Sequence, residues 1–169
     1  SRSFGVVVRA PRVVKEVRRL FESDANRTNF FPRVRDLVVS PENARQRLER
    51  FLRRARVSLD IYDPQVTDDR MLTLLERQAA RGVRIRILGT LEKKWHGTGF
   101  EVHDFPERRL HVRAIVRDGR RAFVGSQSLR KLELDERREV GIIIRDRAVV
   151  QKLQKTFKRD WKQASQSAE

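Results

Sequence analysis

The chain has 169 residues, enough for one domain or slightly more, with 38% apolar and 37% charged residues. It contains no cysteine, which excludes a disulfide framework, a thiolate zinc site and a cysteine nucleophile. Lys and Arg total 39 against 23 Asp and Glu, a net charge of +16, and 31 of the cations are arginine. That excess points to a phosphate-bearing partner (nucleic acid, anionic lipid or a phosphodiester substrate), the plain alternative being an arginine-rich solvated surface. No apolar run approaches the ~20 residues of a membrane span, and no signal-peptide pattern opens the chain, so the expected location is the cytoplasm or a membrane surface. The chain opens on Ser1 rather than Met, and a piece of a longer protein is expected.

In chain order, Gly5–Arg9 and Leu37–Ser40 read as strands, with an apolar helical pattern through Val13, Val17 and Phe21 between them. Ser40-Pro41-Glu42 predicts a helix with Ser40 as N-cap and Pro41 in the first position, running to about Arg54. A strand over Val57–Tyr62 precedes a helix that starts at Thr67-Asp68-Asp69 and turns Met71, Leu72, Leu75 and Ala79 inward, with Gly82 just past its end. Strands follow at Val83–Leu88, Val112–Val116, Ala122–Gly125 and Val140–Arg145. Asp118-Gly119 makes an antiparallel hairpin of the second and third of these. Asp146 caps the last helix, spaced by Val149, Val150, Leu153, Phe157 and Trp161, and a polar tail is expected from Ala164. Strands alternating with helices predict an α/β fold, a mixed sheet flanked by helices.

One internal repeat bears on domain organisation. Gly5–Asp24 matches Gly141–Asp160 at a constant offset of 136, with six identities and four aliphatic exchanges. On this reading residues 1–35 are the last strand and helix of a preceding repeat, 36–163 form a complete second repeat, and 164–169 are tail.

Candidate chemistry gathers between Leu110 and Gly141. On a strand, His111 and Arg113 lie two residues apart and share a face. An imidazole beside a fixed cation suits a phosphodiester: the ring attacks phosphorus or carries a proton, while the cation holds a non-bridging oxygen. Ser126 and Ser128 close the paired strand, where hydroxyls and backbone N–H groups can meet the same phosphate. Glu139 opens the next strand and is placed to accept the second ring proton of His111.

These residues resemble the phospholipase D superfamily, whose motif is His-x-Lys-x4-Asp followed by Gly-Ser-x-Asn. His111 to Asp118 keeps the spacing, Gly125-Ser126 falls in place, and Arg138-Glu139-Val140-Gly141 is similar to the closing element. The resemblance covers nearly the whole chain and is closest to cardiolipin synthase-like and phospholipase D-like proteins. It implies metal-free and cofactor-free chemistry by a histidine pair. One histidine forms a phosphohistidine; the other, here His111, acts as acid and base. It implies catalytic roles for His111, Arg113, Asp118 and Glu139 and substrate contacts for Ser126 and Ser128. The second histidine must then come from a preceding N-terminal repeat or from a homodimer partner. Two positions depart from the motif. Arg113 replaces the lysine, keeping the charge but changing its reach, and Ser128 replaces the asparagine, losing the amide donor. The expected function is that of a phosphodiesterase or phosphatidyltransferase half acting on a phospholipid. The alternatives are a nucleic-acid phosphodiesterase and a non-catalytic anion-binding scaffold.

Weaker candidates are read as ordinary structure. His96, His103 and His111 are spaced 7 and 8 apart, which suits no common zinc pattern. Gly97-Thr98-Gly99 and Lys93-Lys94-Trp95-His96 are taken as loops, and Asp68-Asp69 as a helix start. Arg45, Arg47, Arg50, Arg53 and Arg54 are read as a solvated helix face, with phosphate docking as the alternative.

Overall fold

The computed structural model describes residues 2–92, 95, 99–105 and 110–166. Among these, seven strands form one mixed sheet: β1 (Leu37–Ser40), β2 (Ser58–Val66), β3 (Arg84–Leu91), β4 (Phe100–His103), β5 (Arg113–Arg117), β6 (Arg121–Gly125) and β7 (Glu139–Ile144). The spatial order is β1-β7-β6-β5-β2-β3-β4. β2, β3 and β4 run parallel, whereas β5, β6, β7 and β1 continue the sheet antiparallel from β2. The helices are α1 (Pro11–Ala25), α2 (Ala44–Arg53), α3 (Asp69–Ala80), α4 (Lys131–Asp135) and α5 (Arg147–Gln166).

Strand alternation sends side chains to two cores. On one face Ile61, Ile85, Ile87, Ile115 and Phe123 pack beneath the apolar stripes of α2 and α3, including Leu48, Leu52, Leu72 and Leu75. On the other face Leu88, Ala114, Val116 and Val124 meet Val150, Phe157 and Trp161 of α5. Asp60 lies on this second side, fully buried, and accepts two bonds from the Arg86 guanidinium at 2.8 and 3.0 Å. A third cluster joins Leu20 of α1 to Phe30 and to Leu37 and Val39 of β1.

Most predicted elements appear within a few residues of their expected bounds. Asp118, Gly119 and Arg120 join β5 to β6; the Arg120 N–H donates to Arg117 O, and Asp118 and Gly119 take the left-handed φ of +54° and +60°. Asp146 caps α5 by accepting the Val149 N–H, and Asp68 caps α3 by accepting the Met71 N–H.

Four expectations are corrected. Gly5–Arg9 is not a strand; Val7 in it is 84% exposed, and the position beside β6 that its repeat-mate occupies is already held by β7. Pro41 lies outside α2, because the Asn43 carboxamide accepts the Val39 N–H and donates to Leu37 O, closing a turn that delays the helix to Ala44. The polar tail begins later than Ala164: α5 runs to Gln166 and Ala164 is buried. β4 and α4 carry too few apolar residues to stand out by periodicity, yet each is held by its neighbours, β4 by parallel pairing to β3. In the repeat, α1 begins at Pro11 and α5 at Arg147, which preserves the offset of 136.

Candidate phosphodiester site

The parallel strands β2, β3 and β4 end at one edge of the sheet, where β5 and β7 begin and β6 ends. Register places Arg113, the first residue of β5, opposite Gly125, the last of β6, and Gly125 opposite Gly141 of β7, so the three lie in a row. His111 is exposed, two residues ahead of Arg113. It sits before β5 rather than on it, and its loop is held by the His111 N–H donating to Arg2 O at 3.0 Å. Arg2 is fixed in turn by a 2.6 Å ion pair with the buried Asp160, whose other oxygen accepts from Tyr62 Oη at 2.7 Å. No hydrogen bond engages the His111 ring among the described residues.

Arg113 is half-buried and aimed by local bonds. Its Nε donates to Ser128 Oγ at 2.9 Å and its Nη1 to His111 O at 3.4 Å. Ser128 is buried and hydrogen-bonds the carboxylate of Asp63 at the end of β2. Asp63 also accepts the Leu129 N–H at 2.6 Å and the Gln65 N–H at 3.1 Å. Burial pushes its carboxyl up to about 6, against the pull of these donors and of the Arg113 charge. The edge therefore carries a chain Arg113–Ser128–Asp63, with the His111 backbone carbonyl accepting from its outer end.

The other predicted residues are placed differently. Ser126 is exposed; its N–H donates to Val140 O, and its Oγ accepts the Val140 N–H at 3.1 Å, which pins the end of β6 to β7. Glu139 stands opposite Ser40 of β1, with its carboxylate 3.6 Å from Arg137 Nε rather than bonded to His111. Asp118 lies just past the far end of β5, about 16 Å along the strand from Arg113. There its carboxylate accepts the backbone N–H groups of Arg56, Val57 and Ser58 at 3.1, 2.8 and 3.0 Å. It clamps the entry to β2. Of the three histidines, His103 packs its ring against Trp161 at 4.5 Å, while His96 and most of the two loops around it lie outside the described residues.

Residues 89–161 match a family model described as "Cardiolipin synthase, PLD-like domain". That stretch resembles a phospholipase D-like domain. No curated protein sequence matches it. The phospholipase D-like fold is shared with Nuc, a phospholipase D family member from Salmonella typhimurium. The TM-score is 0.65 at 18% identity, over 75% of this chain and 93% of that one. NucT from Helicobacter pylori is similar at TM-score 0.64 and 16% identity, over 75% and 94%. Polyphosphate kinase from Porphyromonas gingivalis reaches 0.69 at 16% identity, over 86% of this chain but 25% of its own length. Identities this low establish the fold alone.

Two residues of the phospholipase D-like edge escape sequence reasoning. Asp63 reads as one more polar position at the end of a strand; only the fold shows that it is buried under Ser128. Gln127 falls between the two motif serines. Its Nε2 donates to Val38 O at 3.2 Å, and its buried Oε1 lies where a Cβ on Gly125 would come within 2.5 Å. Beside Ser126 opens a groove of about 530 Å³ walled by Val6, Val14, Val17 and Ile142.

Proposed function

We propose that this chain is one half of a phospholipase D-type phosphodiesterase or phosphatidyltransferase, with a phospholipid diester bound at the His111 edge. One observation carries the reading: His111, exposed and with no hydrogen bond to its ring among the described residues, lies two residues ahead of Arg113, whose guanidinium is held by Ser128 and donates to the His111 backbone carbonyl. Arg113 keeps Nη2 without a partner among the described residues and holds a non-bridging oxygen as charge grows on it. His111 protonates the leaving alcohol and then takes a proton from water or an acceptor alcohol, so each transfer is matched by its reverse. The phosphorus-bound intermediate forms on a second histidine, supplied by a preceding repeat or a second copy of this chain. Asp118 anchors the fold and touches no substrate. Glu139 has no part in orienting His111.

The description of the matched family supports a lipid, and so does the valine-walled groove reaching Ser126, which has room for acyl carbon. The need for a partner is supported by Phe21 on α1, 73% exposed, and by Val7. The +16 charge favours the second reading, a nucleic-acid diester.

The test is turnover of a fluorescent phosphatidyl substrate in vesicles and of a labelled oligonucleotide, with His111→Ala beside the wild type, over a range of protein concentrations. Lipid turnover that needs His111 and rises faster than linearly with protein supports the lipid reading with a site built from two copies. Inactivity that a separately supplied N-terminal repeat restores supports the half-enzyme. Cleavage of the oligonucleotide alone moves the substrate to nucleic acid. Equal activity in His111→Ala overturns the proposed chemistry.

A further inference from the structure

The end of the sheet away from His111 has an unusual charge arrangement. Seven arginines wall a small cavity of about 70 Å³ there. Arg47 and Arg50 come from α2 and Arg54 from just past its end; Arg117 and Arg121 flank the β5–β6 turn, Arg145 follows β7, and Arg35 precedes β1. Asp36 is the one acid in this lining among the described residues, and it is already held by Arg145 at 2.7 and 3.0 Å. Arg117 donates to Phe51 O and lies 4.5 Å above the Phe51 ring, so its guanidinium is fixed in the floor. Arg35, Arg47, Arg50 and Arg54 form no ion pair among the described residues, and Arg47 Nε is buried without a hydrogen-bond partner among them.

Such a cluster is costly when empty. Burial first pushes the Arg47 and Arg117 guanidiniums below their ordinary range; neighbouring arginines add to it, against the pull of Asp36 on Arg47 and of Asp118 on Arg117. A lysine would relieve this by shedding a proton, but a guanidinium keeps its charge at any physiological pH. Relief has to come from an anion. A cavity of about 70 Å³ has room for a tetrahedral oxyanion. Several forked donors converging on one point match the oxygens of phosphate better than a single planar carboxylate.

We propose that this recess is a second anion site, specific for a phosphate group carrying two negative charges and separate from the His111 edge. The ligand continues outward over a neighbouring cavity that shares Arg121 and Arg145 and adds Arg84, Arg120 and Arg147. Two sources supply that chemistry: free inorganic diphosphate, or the terminal phosphate of a nucleic-acid strand.

Calorimetric titration of the full chain tests it with three probes: inorganic pyrophosphate, and one short oligonucleotide with and without a 5′-phosphate. Pyrophosphate is expected to bind the wild type. Arg47→Gln with Arg50→Gln is expected to weaken it by about tenfold or more, because two forked contacts are lost. Lys155→Gln with Lys158→Gln removes the same charge from the exposed face of α5 and is expected to leave binding within about twofold. Melting without anion shows that the pocket variant folds, and its Tm is expected to equal or exceed the wild type's as repulsion falls. A preference for the 5′-phosphorylated strand over its unphosphorylated twin identifies a strand end as the source; binding of pyrophosphate alone identifies free phosphate. Failure of both pyrophosphate and the phosphorylated strand to bind, equal weakening in the α5 control, or unchanged binding in the pocket variant overturns the proposal.

Discussion

Arg113 Nε donates to Ser128 Oγ across 2.9 Å, so the two residues that depart from the phospholipase D motif are partners in one hydrogen bond. A serine is too short to reach a substrate from this buried position, but it is the right length to hold an arginine by its Nε and to bond Asp63 on its other side. The two departures are therefore in direct contact, the longer guanidinium held by the shorter hydroxyl.

Their coupling is measurable. Ser128→Ala removes the acceptor of the half-buried Arg113 Nε and one of the three donors to Asp63, an expected loss of about 1–3 kcal/mol. Arg113→Lys removes the Nε–H altogether. Denaturant midpoints for Arg113→Lys, Ser128→Asn and the double variant should show the double change costing less than the sum of the two singles, with a coupling of about 0.5–3 kcal/mol. Strict additivity would show that the two positions act independently.

Asp118 is expected to matter for stability and not for substrate. Three backbone N–H groups converge on its carboxylate, and its φ of +54° suits Asp or Asn better than most residues. Asp118→Ala strips the clamp and should lower the unfolding free energy by about 2 kcal/mol. Asp118→Asn, which keeps one acceptor and tolerates the turn, should lose less. Activity per folded molecule should stay at the wild-type level in both, measured at a temperature well below their melting points. A large drop in turnover with unchanged stability would return Asp118 to the chemistry.

How far the sequence reaches follows from where each residue gets its constraint. The hairpin at Asp118-Gly119, the capped start of α3 at Asp68 and the strand Leu37–Ser40 depend on local chemistry, and they are legible in the sequence. Gly5–Arg9 is as apolar as any strand, but pairing is a long-range matter and the sheet has no vacancy for it beside β6. Spacing places His111, Arg113 and Asp118 on one motif. It says nothing of the strand length that separates Asp118 from the other two. Asp63 is invisible until β2 and the segment after β6 are brought together, 66 residues apart at the Leu129–Asp63 bond.

Gly125 and Gly141 face each other across β6 and β7, and both are expected to resist substitution for steric reasons. A Cβ at Gly125 would lie 2.5 Å from Gln127 Oε1, 2.6 Å from the Phe123 ring and 2.8 Å from Gly141 Cα; one at Gly141 would lie 2.4 Å from the same ring. Phe123 is almost fully buried and has nowhere to retreat. Gly125→Ala and Gly141→Ala should each cost about 1–3 kcal/mol by overpacking, read from thermal unfolding. Phe123→Leu should recover part of the Gly141→Ala loss. No recovery would mean that the strain falls on the backbone instead.

The last prediction concerns pH. The Asp63 carboxyl is pushed by burial from an ordinary 3.8 to about 6, so the folded protein holds this proton more tightly than the unfolded chain does. Stability from that proton is fully present below pH 3.8, drains away as pH rises from 3.8 to 6, and is level above that range. The total is of order 3 kcal/mol. Asp68 works in the opposite direction. Although burial raises it, hydrogen bonds from Arg45 and Met71 and the Arg45 charge hold its carboxyl below the usual value. Its stabilisation is present above the ordinary carboxylate pKa and is lost as pH falls through the lower folded value. The two effects are separable with Asp63→Asn, which leaves Asp68 intact. The stability difference between wild type and Asp63→Asn, measured by denaturant unfolding from pH 3.5 to 7.5, should shift against the wild type between pH 4 and 6 and stay flat beyond. A difference that is constant across the whole range would show that Asp63 remains ionised throughout, with its donors and the Arg113 charge outweighing burial.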